Sequence, residues 1–142
     1  MKPVVKQVDF VTQLSLTVLM DNSFRLAADF FVSLEGELLC IPEGFETDLA
    51  SVPRIPLVYL AVGGRGHKAA VLHDWLYESS MFPRLVCDQY FYHALRESGV
   101  NAIYARAMYA GVRAGGAAYY EANLNRRAAE LKLSEEKRNE SV

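Results

Sequence analysis

Residue types that do chemistry are concentrated in three places: the run Gly44-Phe45-Glu46-Thr47-Asp48-Leu49-Ala50-Ser51-Val52-Pro53, the pair His73-Asp74, and Asp88. In the first, Asp48 has the chemistry of a metal ligand or an orienting carboxylate, and Ser51 offers a hydroxyl three positions on. The competing local reading has Thr47 or Asp48 capping a short turn that contains Ser51 and is stopped by Pro53. In the second, helical spacing places His73 among Ala69, Ala70, Leu76 and Tyr77, an inward apolar face. Asp74 then projects about 100° away. It is badly placed to orient its neighbour's imidazole, which argues against a Ser51/His73/Asp74 triad and leaves Asp48 as a carboxylate for His73. No nucleophile-elbow pattern of glycine, serine and glycine is present.

Asp88 shares a helical face with Leu85, Phe91, Tyr92 and Leu95, where an unpaired carboxylate is costly to bury. Its candidate partners are Arg54, Arg65, His73, a tyrosine hydroxyl or a metal, with a buried ion pair as the plain alternative. If Asp48, His73, Asp74 and Asp88 converge, their oxygen and imidazole donors suit a divalent cation such as zinc, manganese or magnesium. The candidate catalytic residues are therefore Asp48, Ser51, His73 and Asp74, and the candidate metal ligands Asp48, His73, Asp74 and Asp88. Gly63-Gly64-Arg65-Gly66-His67-Lys68 precedes a helix start and has amides and cations suited to an anion, but it completes neither a Walker spacing nor a dinucleotide fingerprint. His67 and His93 lack matching partners.

These residues need elements to position them. Leu14, Leu16, Val18 and Met20 alternate with Ser15, Thr17 and Leu19, the period of a strand with a preferred face. Asp21-Asn22-Ser23 marks a turn, Phe24 to Leu34 a second extended run, and Glu35-Gly36 a turn into Glu37 to Ile41. This spacing predicts a meander of short hairpins that ends at Pro42-Glu43-Gly44. From Gly66 the period becomes helical. Pro83 separates the first helix from a second at about Arg84 to Ser98, which stops at Gly99, and Asn101 caps a third beginning near Ala102. Gly115-Gly116 bends or ends that helix, and Tyr119 to Lys137 has the composition of another. Strands followed by helices predict an α+β fold, an N-terminal antiparallel sheet meander followed by three or four packed helices.

The 142 residues, 51% apolar and 23% charged, suit a single domain over 1–142 able to bury its own core. A formal net charge of −2 argues against an electrostatic nucleic-acid binder. The two cysteines, Cys40 and Cys87, imply neither a disulfide framework nor a thiolate zinc site. No signal peptide is expected, because the N-terminus lacks an apolar core region. No membrane span is expected either, since the longest apolar run, Ile55 to Val62, contains Pro56 and is far shorter than the roughly 20 residues a spanning helix needs.

The stretches Pro42-Glu43-Gly44-Phe45-Glu46-Thr47-Asp48-Leu49-Ala50-Ser51-Val52-Pro53 and Ala69-Ala70-Val71-Leu72-His73-Asp74-Trp75-Leu76-Tyr77 resemble a phage and prophage family catalogued as domain of unknown function 1353. Looser matches continue through Cys87-Asp88, Phe91 and the helix from Met108 to Gly115, with Val112-Arg113 in place. The family-like core covers about 14–120, and 121–142 reads as a charged helical C-terminal extension. The resemblance implies a phage-encoded accessory protein in the host cytoplasm or the virion. It brings no activity of its own. The expected roles are a divalent-metal-binding hydrolase or a non-enzymatic virion, tail-assembly or host-interaction protein, with phage structural or host proteins as partners.

Overall fold

A computed structural model describes residue 5 and residues 7–49 and 63–141 of the chain. Antiparallel strands form its N-terminal half and four α-helices the rest, so the fold is α+β as expected. The strands are β1 (Val8–Phe10), β2 (Leu16–Val18), β3 (Phe24–Leu26), β4 (Phe30–Leu34), β5 (Glu37–Ile41) and β6 (Glu46–Thr47). A 3-10 turn, Gly63–Gly66, leads into α1 (His67–Ser79), followed by α2 (Arg84–Glu97), α3 (Ala102–Gly115) and α4 (Ala117–Glu140).

Two three-stranded sheets replace the single meander: one has the order β1-β4-β5, the other β2-β3-β6. The run from Phe24 to Leu34 is divided between them, with β3 in one sheet and β4 in the other. Alternation alone cannot reveal such a division, because the side-chain period continues through the break at residues 27–29. Nor does Pro42-Glu43-Gly44 end the sheet. It makes a tight turn in which Phe45 N–H donates to the Pro42 carbonyl at 3.2 Å and Gly44 adopts φ 89°. The chain then returns as β6 against β3, with Phe24 opposite Thr47 and Arg25 opposite Glu46. An Arg25–Glu46 ion pair at 2.7 Å covers this register on the solvent side.

The face predicted for Leu14 to Met20 is a core face only in its first half: Leu14 and Leu16 are half-buried and pack against the core, whereas Val18 is largely exposed and Met20 fully so. The β4 strand shows the opposite behaviour: Phe30, Val32 and Leu34 are buried and alternate with half-buried Phe31 and Ser33. These residues join Val8, Leu26 and Ile41 and pack on Ala69, Leu72, Leu76, Phe91 and Leu95 from α1 and α2. The buried side of α1 is continuous from Ala69 to Asp74, so this stretch of the helix is enclosed on nearly all sides.

Helix boundaries follow local chemistry. Helix α1 ends where Ser80 takes a left-handed backbone, φ 51°, and donates its N–H to the Leu76 carbonyl at 3.1 Å. At the start of α3 the Asn101 side chain accepts from the N–H groups of Ile103 and Tyr104 at 2.9 and 3.1 Å, the cap expected from sequence. The chain turns from α3 into α4 at Gly116, where a Cβ would lie 2.6 Å from both the Tyr77 hydroxyl and the Val112 carbonyl. A residue without a side chain is what allows the two helices to meet over α1. Among the described residues, no helix is long and apolar enough to cross a membrane.

Candidate functional site

The end of β6 starts the site. Thr47 is buried, and its Oγ1 accepts the N–H of Leu49 at 3.1 Å, closing a tight bend around Asp48. Leu49 takes a left-handed backbone, φ 56°, a conformation that costs a non-glycine residue about 1–2 kcal/mol. Burial of the Leu49 side chain and the Thr47 hydrogen bond offset that strain. The bend carries Asp48, which is exposed, to the rim of a cleft of about 440 Å³. His73, Asp74 and Tyr77 of α1, Met108, Gly111, Val112 and Gly115 of α3, Gly116, and Tyr119 of α4 line the same cleft.

Three of the residues singled out in the sequence, Asp48, His73 and Asp74, thus reach one cavity, and Asp88 stands directly behind His73. Ser51 lies outside the described residues, as do Arg54, Pro53 and the run Ile55 to Val62.

Asp74 is held on two sides. The Tyr119 hydroxyl donates to its Oδ1 at 2.6 Å, and the Thr47 hydroxyl bonds to it from the strand end. Burial is the largest influence on its acidity, and the nearby charge of Asp48 acts in the same direction. Together they hold the Asp74 carboxyl above its ordinary value, although the two hydroxyls pull the other way. Tyr119 is correspondingly a weaker acid than usual, through burial and its bond to Asp74. Glu78, one turn along α1, is also raised by burial and by the charge of Asp74, and pairs with Arg126 of α4 at 3.6 Å.

Asp88 is saturated with donors. Its Oδ1 is 2.7 Å from His73 Nε2 and accepts the Tyr77 hydroxyl at 2.5 Å. Its Oδ2 accepts Arg113 Nη1 at 2.7 Å, with Arg84 Nη1 at 3.5 Å. The carboxylate itself is fully buried. Burial alone would raise its pKa, but the bonds from His73, Tyr77 and Arg113 more than reverse this and hold it below the ordinary carboxylate value. An ionised carboxylate only accepts, so the proton in the short contact sits on His73 Nε2. The imidazole is further fixed between the rings of Tyr77 and Phe91, with centroids 4.2 and 4.8 Å away. The same contacts hold three helices in register, since Arg84 also donates to the carbonyls of Val112 and Arg113 at the end of α3.

Of the partners expected for Asp88, His73 and a tyrosine hydroxyl are found. Arg54 lies outside the described residues, and Arg65 is exposed at the start of α1. Arg84 and Arg113 take the cationic role instead. The first carried a signal, being four residues from Asp88 on the same helix. Arg113 was marked only by the family resemblance, and nothing local tied it to Asp88, because it approaches across 25 residues through the packing of α3 on α2. Tyr77 and Tyr119 also escaped notice as cleft residues, as a tyrosine pattern does not show which hydroxyl meets a carboxylate. Among the described residues, no three His, Cys, Asp or Glu side chains are grouped as metal ligands would be.

Neither curated proteins nor solved structures gave a match to this chain. A family model, protein of unknown function DUF1353, matches residues 24–112. That span contains β3 to β6, α1, α2 and most of α3, and with them Asp48, His73, Asp74, Tyr77 and Asp88. Tyr119, which closes the cleft from α4, falls beyond it. The chain belongs to the DUF1353 family.

Proposed function

We propose that the cleft is the active site of a hydrolase in which Asp74 is the general acid and base, Asp48 the second carboxylate, and His73 a group positioned by Asp88. The observation that carries this reading is the arrival of Asp48 and Asp74, from different elements, at one cavity of about 440 Å³. A carboxyl whose pKa is raised by burial, set beside a second carboxylate in one cavity, is the kind of pairing from which acid and base roles are divided. Water entering from the open side would be activated by whichever of the two is ionised, and the leaving group protonated by the other.

The same oxygens are the donors a divalent cation would use, with magnesium or manganese favoured over zinc and water or substrate completing the shell. Ser51 follows Asp48 by three positions, and a Ser51→Ala variant separates attack by serine from direct attack by water. In the phage setting that the two sequence stretches suggest, such a protein is an accessory enzyme of the host cytoplasm or the virion.

The test is hydrolysis of a panel of nitrophenyl esters, phosphoesters and glycosides by the wild type, Asp74→Asn and Asp48→Asn, each checked for retained fold. Turnover by the wild type that falls at least about 100-fold in Asp74→Asn supports the reading. Its failure is shown by a wild type inactive on all three classes, or by activity retained in both variants. A second reading is favoured by the saturation of Asp88: the buried network locks the helices of a non-enzymatic virion or host-interaction protein. An inactive wild type together with co-purification in assembled particles would favour it.

A further inference from the structure

We propose that the outer edge of β5 docks an extended segment of another protein, which adds to the sheet as a further strand with apolar side chains between basic ends; this does not depend on the chemistry of the cleft. In the order β1-β4-β5 the last strand has a neighbour on one side only. The two-residue turn Glu35-Gly36, with φ 53° and 84°, makes Leu34 and Glu37 a hydrogen-bonded pair. Bonded pairs then recur at Val32 with Leu39 and Phe30 with Ile41, so the N–H and carbonyl groups of Leu38 and Cys40 point away from β4. The backbone of Phe31, opposite Cys40, agrees: its carbonyl accepts the Val11 N–H at 3.0 Å and its N–H donates to Thr12 Oγ1 at 2.9 Å, both on the side of β1. No described group bonds to the outward groups of Leu38 or Cys40.

The side chains suit a partner strand. Leu38 is 65% exposed and Cys40 is exposed beside it, while no lysine, proline or bulge interrupts Glu37–Ile41 to discourage pairing. The other outer strands offer less, since β1 and β2 span three residues each and β6 two. Charge decides the occupant. Glu37 opens β5, and just past its end Asp29 accepts the Glu43 N–H at 2.8 Å, which brings two further acidic residues together. No lysine or arginine occurs in sequence between Arg25 and Arg54, and Arg25 is engaged with Glu46 in the other sheet. A second copy presenting its own β5 would set like charges against these carboxylates, whereas a segment with basic residues at both ends meets opposite charge at each. Main-chain bonds to Leu38 and Cys40 then supply the attachment, as in other cases of strand addition.

The probe is a capped heptapeptide with lysine at each end, valine at the third and fifth positions and threonine between. Two controls accompany it: one with glutamate at the ends, and one with lysine ends and both valine nitrogens methylated. Each is titrated into the full chain at pH 7 and low salt, followed by NMR of the backbone amides. The lysine peptide is expected to bind about tenfold more tightly than the glutamate peptide, and the methylated one to lose most of its binding. Amide exchange at Leu38 and Cys40 should slow in the complex. Leu38→Lys, a change at an exposed position, is expected to abolish most binding and leave the melting temperature unchanged. The proposal is overturned if the lysine peptide does not bind, if the glutamate peptide binds equally well, if methylation has no effect, or if the slowed amides lie away from β5. Slowing at Leu38 and Cys40 that grows with protein concentration in the absence of peptide would also overturn it, in favour of pairing between copies.

Discussion

Asp74 and Asp88 are both buried aspartates near one histidine, and their surroundings push them in opposite directions. Asp88 has four donors, two of them guanidinium groups, whereas Asp74 has two hydroxyls and a like charge nearby. Linkage turns this into stability. With its folded pKa below the ordinary 3.8, Asp88 contributes stability that is present above that value and lost as pH falls below it. Asp74 has a raised folded pKa, so the fold holds its proton more tightly than the unfolded chain does. Its contribution is greatest in acid and declines as pH rises from 3.8 through the folded value. Two substitutions should therefore differ in sign at pH 7. Asp88→Asn is expected to destabilise by on the order of 3 kcal/mol, because it strips a buried partner from Arg113 and Arg84, both of which retain some access to water. Asp74→Asn should leave the melting temperature unchanged or higher, since the amide keeps the Tyr119 bond without the cost of a buried charge. Thermal melts of both variants at pH 7 check the pair; destabilisation of equal size in both would show that Asp74 is simply another member of the lock.

At the scale of elements, the site depends on three helices meeting at Tyr77. Gly116 is the closest point, and the α3–α4 turn has no room for a methyl group between the Tyr77 hydroxyl and the Val112 carbonyl. Gly116→Ala is expected to cost about 1–3 kcal/mol and to displace α4, loosening the Tyr119–Asp74 bond, whereas Gly111→Ala, with open space around it, should be near neutral. Chemical denaturation of the two variants measures the difference. Much of this layer was legible from sequence. Pro83, Gly99 and Asn101 set helix ends through local geometry, and the inward face of α1 was visible from Ala69, Ala70, His73, Leu76 and Tyr77 because helical spacing is a local property. The strand half was less legible. Which sheet takes β3 and which takes β4 is decided by long-range pairing with β6 and β1, and the brief β6 strand at Glu46–Thr47 carries no periodicity to read. For the same reason His73 could be named as one of several candidate partners of Asp88, while the contact of Asp88 with Arg113 needed the packed helices.

For the molecule as a whole, the division of labour is spatial. The Asp88 network faces the interior and ties α1, α2 and α3 together; the Asp74 and Asp48 carboxylates face the cavity, one on a helix and one on the bend after β6. Asp74 acquires its character only when the strand end, α1 and α4 are all in place, so its titration reports on the entire arrangement. The most direct measurement is the ¹³C titration of the Asp74 carboxyl by NMR in the wild type and in Asp48→Asn. Asp74 is predicted to titrate above 3.8 in the wild type and to move down when the Asp48 charge is removed. A midpoint at or below 3.8, or one that Asp48→Asn does not move, would contradict the pairing of these two carboxylates and with it the acid–base cleft.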